Sequence, residues 1–346
     1  MAIIFLSLWY NFLRTKQEDN MTFEKELKAA LQAVQRASQL CSKVQFQLID
    51  DDTIQKKDRS PVTIADFGSQ AVVSSILLDE LSNDFLVGEE EAETLRQNDD
   101  MRERVFELVK EQCPDMTEDE MMNAIARGTR EPDYTKRYWT IDPIDGTKGF
   151  LRREQYAVAL ALIENGKKKV GVLGCPNLPQ DFNDSNSQTG SLLYAVAGEG
   201  AWMSDMNGGD SRHIQVNSET DPSGARFVES VESAHSAHDV HTRISAALGI
   251  TQESLRIDSQ CKYATVARGD VSIYLRYPRD EVYREKIWDH AAGALIVEVA
   301  GGKVTDIAGQ PLDFSVGRKL EKNQGVVVTN GAFHDQIISE IKKIRG

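Results

Sequence analysis

Tyr138-Trp-Thr-Ile-Asp142-Pro-Ile-Asp145-Gly-Thr147-Lys-Gly-Phe150 begins as a buried strand, with Trp139 and Ile141 on its apolar face, and ends in a turn made of oxygen donors. Pro143 fixes its own φ and drives Asp142 out of the helical region, so the segment is a shaped loop and not a helix face. Gly146 permits a tight turn, and Thr147 adds a hydroxyl. Two carboxylates, the carbonyl between them and a hydroxyl, carried on one stiff turn, suit a hard divalent cation. Mg²⁺ takes oxygen ligands at about 2.0–2.1 Å in near-octahedral geometry and keeps several waters. Asp-Pro and Asp-Gly pairs are also ordinary turn chemistry. The full word Asp142-Pro-Ile-Asp-Gly-Thr147 is more specific than either pair.

The surrounding chain bounds what such a site serves. Its 346 residues are enough for one large or two medium domains, with 40% hydrophobic and 27% charged residues as in soluble globular proteins. A net charge of −14 argues against general nucleic-acid or anionic-membrane binding, while leaving room for an anion in a local basic pocket. Cys41, Cys113, Cys175 and Cys261 are scattered without zinc spacing, which fits reduced thiols in a cytoplasmic protein. Residues 1–20 read as an unstructured or dispensable leader, with a targeting segment as the competing reading. Their apolar run is too short for an ordinary membrane span, and Arg14 and Lys16 follow it where a signal peptide has its basic residues in front.

Upstream of the central stretch, Phe23, Leu27, Leu31, Val34, Leu40 and Val44 recur at helical spacing from Thr22, a plausible N-cap, to about Leu48. A polar loop, Lys56 to Ser60, leads into a second helix with Asp66 near its start, where an acid also favours the positive helix end. Phe85-Leu-Val-Gly88 reads as a short strand that delivers Glu89 to a sheet edge. Helices are expected over 101–113 and 118–126, with Met116, Met121 and Met122 as packing. Downstream, strands at 155–163 and 169–174 joined at Asn165-Gly166, then 191–197 and 200–203, form an antiparallel sheet. The second half alternates strands (226–230, 255–258, 271–276, 303–306, 325–329) with helices (237–248, from 259, 288–300, 333–344), a layered α/β pattern. A division into 21–222, carrying the antiparallel sheet and metal loop, and 223–346 follows.

Asp66, Glu89, Asp142, Asp145 and Asp289 thus fall at strand ends or helix starts. Asp289 opens a helix continuing Ala291-Ala-Gly-Ala, small residues that imply a buried helix start; a buried carboxylate needs a partner, and a metal is one. Lys262, Arg268, Arg276, Arg279, Arg284 and Lys286 lie within the stretch ahead of Asp289 and suit a phosphate that is held, though each is equally readable as a solvated strand face. His235, His238 and His241 fit no zinc signature.

Glu89 after Val-Gly, Asp142-Pro-Ile-Asp-Gly-Thr147, and Trp288-Asp-His-Ala-Ala-Gly293 with Gly301-Gly302 downstream resemble the inositol monophosphatase superfamily. Lys57-Asp-Arg-Ser60-Pro-Val-Thr-Ile-Ala-Asp66, Ala234-His-Ser-Ala-His238, Asp258-Ser-Gln-Cys-Lys262-Tyr and Tyr274-Leu-Arg276 look most like its 3′(2′),5′-bisphosphate nucleotidase branch, from Thr22 to the C-terminus. The resemblance implies an α+β fold, a layered αβαβα sandwich of the inositol monophosphatase/fructose-1,6-bisphosphatase type. It implies two or three Mg²⁺ ions on Glu89, Asp142, the Ile144 carbonyl, Asp145 and Asp289. Asp66 and Thr147 would orient and deprotonate the attacking water. Thr147, His235, Ser259, Lys262, Arg276 and Asp289 would hold adenosine 3′,5′-bisphosphate. It further implies lithium sensitivity, a monomer, action on 3′-phosphoadenylyl sulfate, and a place in sulfur assimilation and salt tolerance. No motif position departs from the pattern; the leader and the loops at 181–190 and 205–210 do. The alternatives are an inositol polyphosphate 1-phosphatase-like activity on inositol 1,4-bisphosphate and a catalytically silent nucleotide sensor.

Overall fold

In strand Ala157–Glu164 the residues Val158, Leu160 and Leu162 enter one apolar cluster, while Ala157, Ala159, Ala161 and Ile163 enter another. A strand with both faces buried lies in the middle of a layered structure. The computed structural model describes residues 22–47, 60–231, 238–278 and 280–345. In chain order its main elements are α1 (Glu24–Gln47), α2 (Ser60–Glu80), β1 (Phe85–Gly88), α3 (Ala92–Arg96), α4 (Asp99–Gln112), α5 (Glu118–Arg127), β2 (Arg137–Asp145) and α6 (Thr147–Leu151). Then come β3 (Ala157–Glu164), β4 (Lys167–Pro179), β5 (Thr189–Val196), β6 (Gly200–Ser204), β7 (Arg212–His213) and β8 (Phe227–Glu229). The chain continues through α7 (His238–Leu248), β9 (Leu255–Arg256), α8 (Cys261–Ala267), β10 (Ile273–Arg276), α9 (Ala291–Val299), β11 (Lys303–Thr305), β12 (Val326–Thr329) and α10 (His334–Arg345).

The first sheet runs β1-β2-β3-β4-β5-β6-β7, parallel between β1 and β2 and antiparallel elsewhere. The second runs β11-β12-β10-β8-β9, with β10, β8 and β9 parallel. Helices α1 and α2 cover one face of the first sheet, α8 and α9 fill the space between the sheets, and α7 and α10 cover the far face of the second. That makes the five layers of an αβαβα sandwich. The alanines of β3 and Gly171 of β4 let α9 approach closely: a Cβ at Gly171 would stand 2.9 Å from the Ala292 carbonyl oxygen. Among the described residues, Val62–Glu80 of α2 is long and apolar enough to cross a membrane. It is instead a core helix, packed by α1, β2, α4 and α5.

Several local expectations shift. Helix α1 begins at Glu24, where the Leu27 N–H bonds the Phe23 carbonyl, so Thr22 lies one residue ahead of the cap. The short helix α3 carries no periodicity long enough to read. Strand β4 runs on to Pro179, because Pro179 still pairs with Thr189 across an irregularity. The second long helix already starts at Ser60, which places Asp66 in its second turn and removes the helix-end reading of that acid. The polar segment 56–59 lies outside the described residues.

A buried histidine closes the outer layer. His334 opens α10 and is 1% exposed; its two ring nitrogens meet the hydroxyls of Thr305 and Thr329 at 2.8 and 2.9 Å. Burial, and next the Lys303 charge, push its pKa down to about 4. The unfolded chain therefore binds the proton that the folded one refuses. This contribution to stability is full above the ordinary histidine range and is lost as pH falls toward 4; it amounts to about 3 kcal/mol. Urea unfolding at pH 7 and pH 4.5 should show His334→Gln losing much less stability on acidification than the parent.

Candidate active site

The central stretch is a strand further than expected: β2 pairs with β3 through Asp142, slips at Pro143–Ile144 and pairs again at Asp145. The bulge points the two carboxylates to the same end of the sheet. Asp142 is 2% exposed and its Oδ1 has no hydrogen-bond partner. Ser69 of α2 donates to the Pro143 carbonyl at 3.1 Å and fixes the bulge from behind. Gly146, at φ 91°, ends the strand and caps α6, so Thr147 is the first residue of that helix.

Parallel pairing of β1 with β2 brings Gly88 beside Ile141, and Glu89 emerges next to Asp142. The two carboxyl groups are close enough to share a hydrogen bond. Asp66 reaches the same region from α2. All of these acids are held above the ordinary carboxylate range. For Asp142 the cause is burial, then the charges of Glu89, Asp145, Asp289 and Asp66. For Asp66 it is burial, then Glu90 and Glu89. Glu89, which keeps an edge open to solvent, is pushed up by the protein packed around it and by Asp289, Glu90 and Asp145. Asp145 rises to about 6, through burial and Asp289, against the lowering charges of Lys262 and Arg276. Asp289 rises through burial even with Arg276 beside it. Such a set is what a bound cation offsets. The oxygen-only donors and the orphaned Asp142 oxygen fit Mg²⁺ rather than a softer metal.

A pocket of about 400 Å³ opens beside the acids, lined among others by Thr147, Ser259, Lys262, Tyr274, Arg276 and Asp289. Lys262 is 4% exposed, with its ammonium 5.3 Å from the Tyr274 ring centroid. Burial pushes its pKa down, against the pull of Asp145 and Asp258. Ser259 adopts φ 64°, a left-handed backbone uncommon for a side-chain-bearing residue, at the point where it meets Gly146. His235 lies outside the described residues.

The basic cluster does not converge. Arg268 is turned into the fold against Asp270 and the Pro179 carbonyl. Arg284 bonds the Glu281 and Tyr283 carbonyls, and Lys286 lies over the Trp288 ring. Arg279 lies outside the described residues. Among the described members of that group, only Lys262 and Arg276 line the pocket. Of the histidines, His241 is buried against Glu229 and away from the acids.

The model of the inositol monophosphatase family matches residues 24–345. The chain belongs to this family. A 3′(2′),5′-bisphosphate nucleotidase of Schizosaccharomyces pombe is 45% identical over 335 residues, 92% of this chain and 95% of that one. One of Dictyostelium discoideum is 43% identical, covering 91% and 95%. Among solved structures, an inositol monophosphatase from Anabaena (Nostoc) sp. PCC 7120 superposes with a TM-score of 0.62 at 22% identity, covering 93% of this chain and 97% of that one. CysQ from Bacteroides thetaiotaomicron, a bacterial member of the family, gives 0.59 at 20%, covering 90% and 98%. At those identities the structures speak for the fold.

In this member of the family, residues given no role by the sequence reading, Gln260 of the Asp258–Lys262 motif among them, hold the acids in place. Gln70, one turn after Asp66 and fully buried, donates to the Glu90 and Ile125 carbonyls at 2.8 and 3.1 Å and accepts the Glu90 N–H at 3.0 Å. Gln260 gives its backbone N–H to Asp145, its side-chain N–H to the Trp288 carbonyl at 2.9 Å, and accepts the Gly293 N–H at 3.1 Å. Arg318 donates to the Gly88 and Gly128 carbonyls and stacks 4.9 Å from the Trp288 ring centroid. Each couples two segments far apart in sequence, so spacing alone gives no signal for it.

Proposed function

We propose that this chain removes the 3′-phosphate of adenosine 3′,5′-bisphosphate, giving AMP and phosphate, in a Mg²⁺-dependent hydrolysis. The observation that carries this reading is the pocket lined by Lys262 and Arg276 together with Asp145 and Asp289, cations to hold one phosphate beside acids that serve the cleavage of another. The names borne by the relatives at 45% and 43% identity point the same way.

Glu89, Asp142, the Ile144 carbonyl, Asp145 and Asp289 would hold the metal. Among the described residues, Glu285, Asp289 and His290 form a group of three whose ligand atoms all lie within 4.8 Å of one another. The ions supply charge neutralisation, an acidified water and stabilisation of the leaving oxygen. The chain's own residues do the rest. Asp66 and Thr147, from adjoining helices α2 and α6, orient that water and take its proton. Lys262 and Arg276 bind the phosphate that stays, Arg276 through a planar fork. Ser259, in the pocket lining, contacts the nucleotide, and the family resemblance gives His235 the same role. No residue at the site is set up as an activated nucleophile, so water attacks in line without a phospho-enzyme. The same pocket would admit 3′-phosphoadenylyl sulfate, and Li⁺ would occupy a cation position without activating water.

Product analysis tests the assignment. Adenosine 3′,5′-bisphosphate should give 5′-AMP with Mg²⁺ and turn over at least tenfold faster than inositol 1,4-bisphosphate. A preference for the inositol substrate would remove the nucleotide roles of Ser259, Lys262 and Arg276 while leaving the metal site as described.

A further inference from the structure

Arg276 stands between two carboxylates. Its Nε is 2.8 Å from Glu285 Oε2, and its Nη2 is 3.7 Å from Asp289 Oδ2. Glu285 is 3% exposed and bonds His290 Nε2 at 3.3 Å; His290 Nδ1 in turn meets the Tyr263 hydroxyl at 2.7 Å. His290 and Tyr263 are 0% and 1% exposed. The three together form a buried brace that ends on the guanidinium; none of them lines the pocket, and Glu285 and His290 reach within 4.8 Å of the Asp289 carboxylate.

We propose that Glu285 is a positioning residue that sets the place of Arg276 between the uncleaved phosphate and Asp289. The inference rests on the proposed nucleotide reading for its substrate. An arginine loses little freedom per hydrogen bond once its planar fork is pre-set, and its Nε is the atom that sets the plane. With Nε on Glu285, the fork is held at the pocket, where the Tyr274 and Tyr283 hydroxyls also bond the guanidinium. Without that anchor, the nearest remaining anion is Asp289, so Arg276 swings toward it. Two losses follow together: the second phosphate loses its fork, and Asp289 becomes a poorer metal ligand.

The test uses the full chain with Glu285→Gln, which keeps the shape and removes the charge. At saturating Mg²⁺, KM for adenosine 3′,5′-bisphosphate should rise about tenfold with kcat within about threefold, while kcat/KM for 3′-AMP, which lacks the second phosphate, changes by less than about threefold. Calorimetric titration with Mg²⁺ alone should show severalfold weaker binding. In an Arg276→Met background the same Glu285 change should move KM by less than about threefold, since no guanidinium remains to be placed. Glu285→Asp, which shortens the arm and keeps the charge, gives the same directions if Glu285→Gln fails to fold. Equal losses on both nucleotides, or an unchanged KM and unchanged Mg²⁺ binding, overturn the proposal. Failure of the parent to turn over adenosine 3′,5′-bisphosphate would overturn the nucleotide reading instead, and the Mg²⁺ titration would still decide the role of Glu285.

Discussion

Asp142→Asn should lose at least about a hundredfold in kcat/KM and yet unfold, in chelator, at the same temperature as the parent or higher. The activity figure is a lower bound: outer-shell partners of a metal already cost about 10–100-fold when removed, and Asp142 is proposed as a ligand itself. The stability half follows from electrostatics. Asp142 is 2% exposed, one of its oxygens has no partner, and it shares its surroundings with Glu89, Asp145, Asp289 and Asp66. Without a cation such a group repels its neighbours, and a neutral amide of the same shape relieves them. With Mg²⁺ the ranking inverts. A ligand at a hundred times its Kd stabilises the folded state by about 2.7 kcal/mol, and the variant should show little of that gain.

The pH dependence of the same pair has a definite sign. Carboxyl groups whose folded pKa is raised bind more protons folded than unfolded. In the metal-free protein the contribution of these carboxyls is then fully present below the ordinary carboxylate range and is lost as pH rises through about 6 to 7, where Asp145 and Glu89 titrate in the fold. Melting curves in chelator at pH 5.5 and 8 should differ in that direction, and less so for Asp142→Asn. Equal Mg²⁺ stabilisation of variant and parent would remove Asp142 from the metal set.

Gly146→Ala is the second large effect. The residue sits at φ 91°, and an added Cβ would lie 2.7 Å from the Cβ of Ser259, itself at φ 64°. A left-handed alanine costs about 1–2 kcal/mol and overpacking about 1–3. We expect a loss of about 2–5 kcal/mol by urea unfolding, together with most of the activity, because the joint carries Asp145 on one side and Thr147 on the other. Ser259→Gly added to Gly146→Ala should recover part of the stability, since it removes the atom in the way and suits its own backbone. It should not recover affinity for nucleotide. Full additivity of the two changes would mean that the contact is not the source of the loss.

These predictions draw on two kinds of information that the sequence carries unevenly. A layered α/β build is legible because strands buried on both faces are apolar throughout, as in β12, which sends Val326 and Val328 to the middle layer and Val327 to the outer one; the five-layer αβαβα order came from the family resemblance. The acids are legible because they follow strand ends, and strand ends meet at one edge of a sheet. What surrounds them is not. Arg268 and Arg276 look alike in sequence, yet one is turned inward on Asp270 and the other lines the pocket. Gln70, Gln260, Glu285 and Arg318 act through carbonyls and partners up to 230 positions away. Their roles come from the packing of the sheets and helices, and no periodicity records it. Asp66 shows the intermediate case: the residue was identifiable, but its place in the second turn of α2 depended on a helix start hidden by Ser60-Pro61.

The central claim is that one pocket holds a phosphate on Lys262 and Arg276 while the acids and their Mg²⁺ cleave another. It is tested most directly by phosphate release from adenosine 3′,5′-bisphosphate and from 3′-AMP, each with Mg²⁺ and with chelator. The account predicts turnover only with Mg²⁺ and a kcat/KM at least tenfold higher for the bisphosphate. Equal rates on the two nucleotides, or release that persists in chelator, would contradict it.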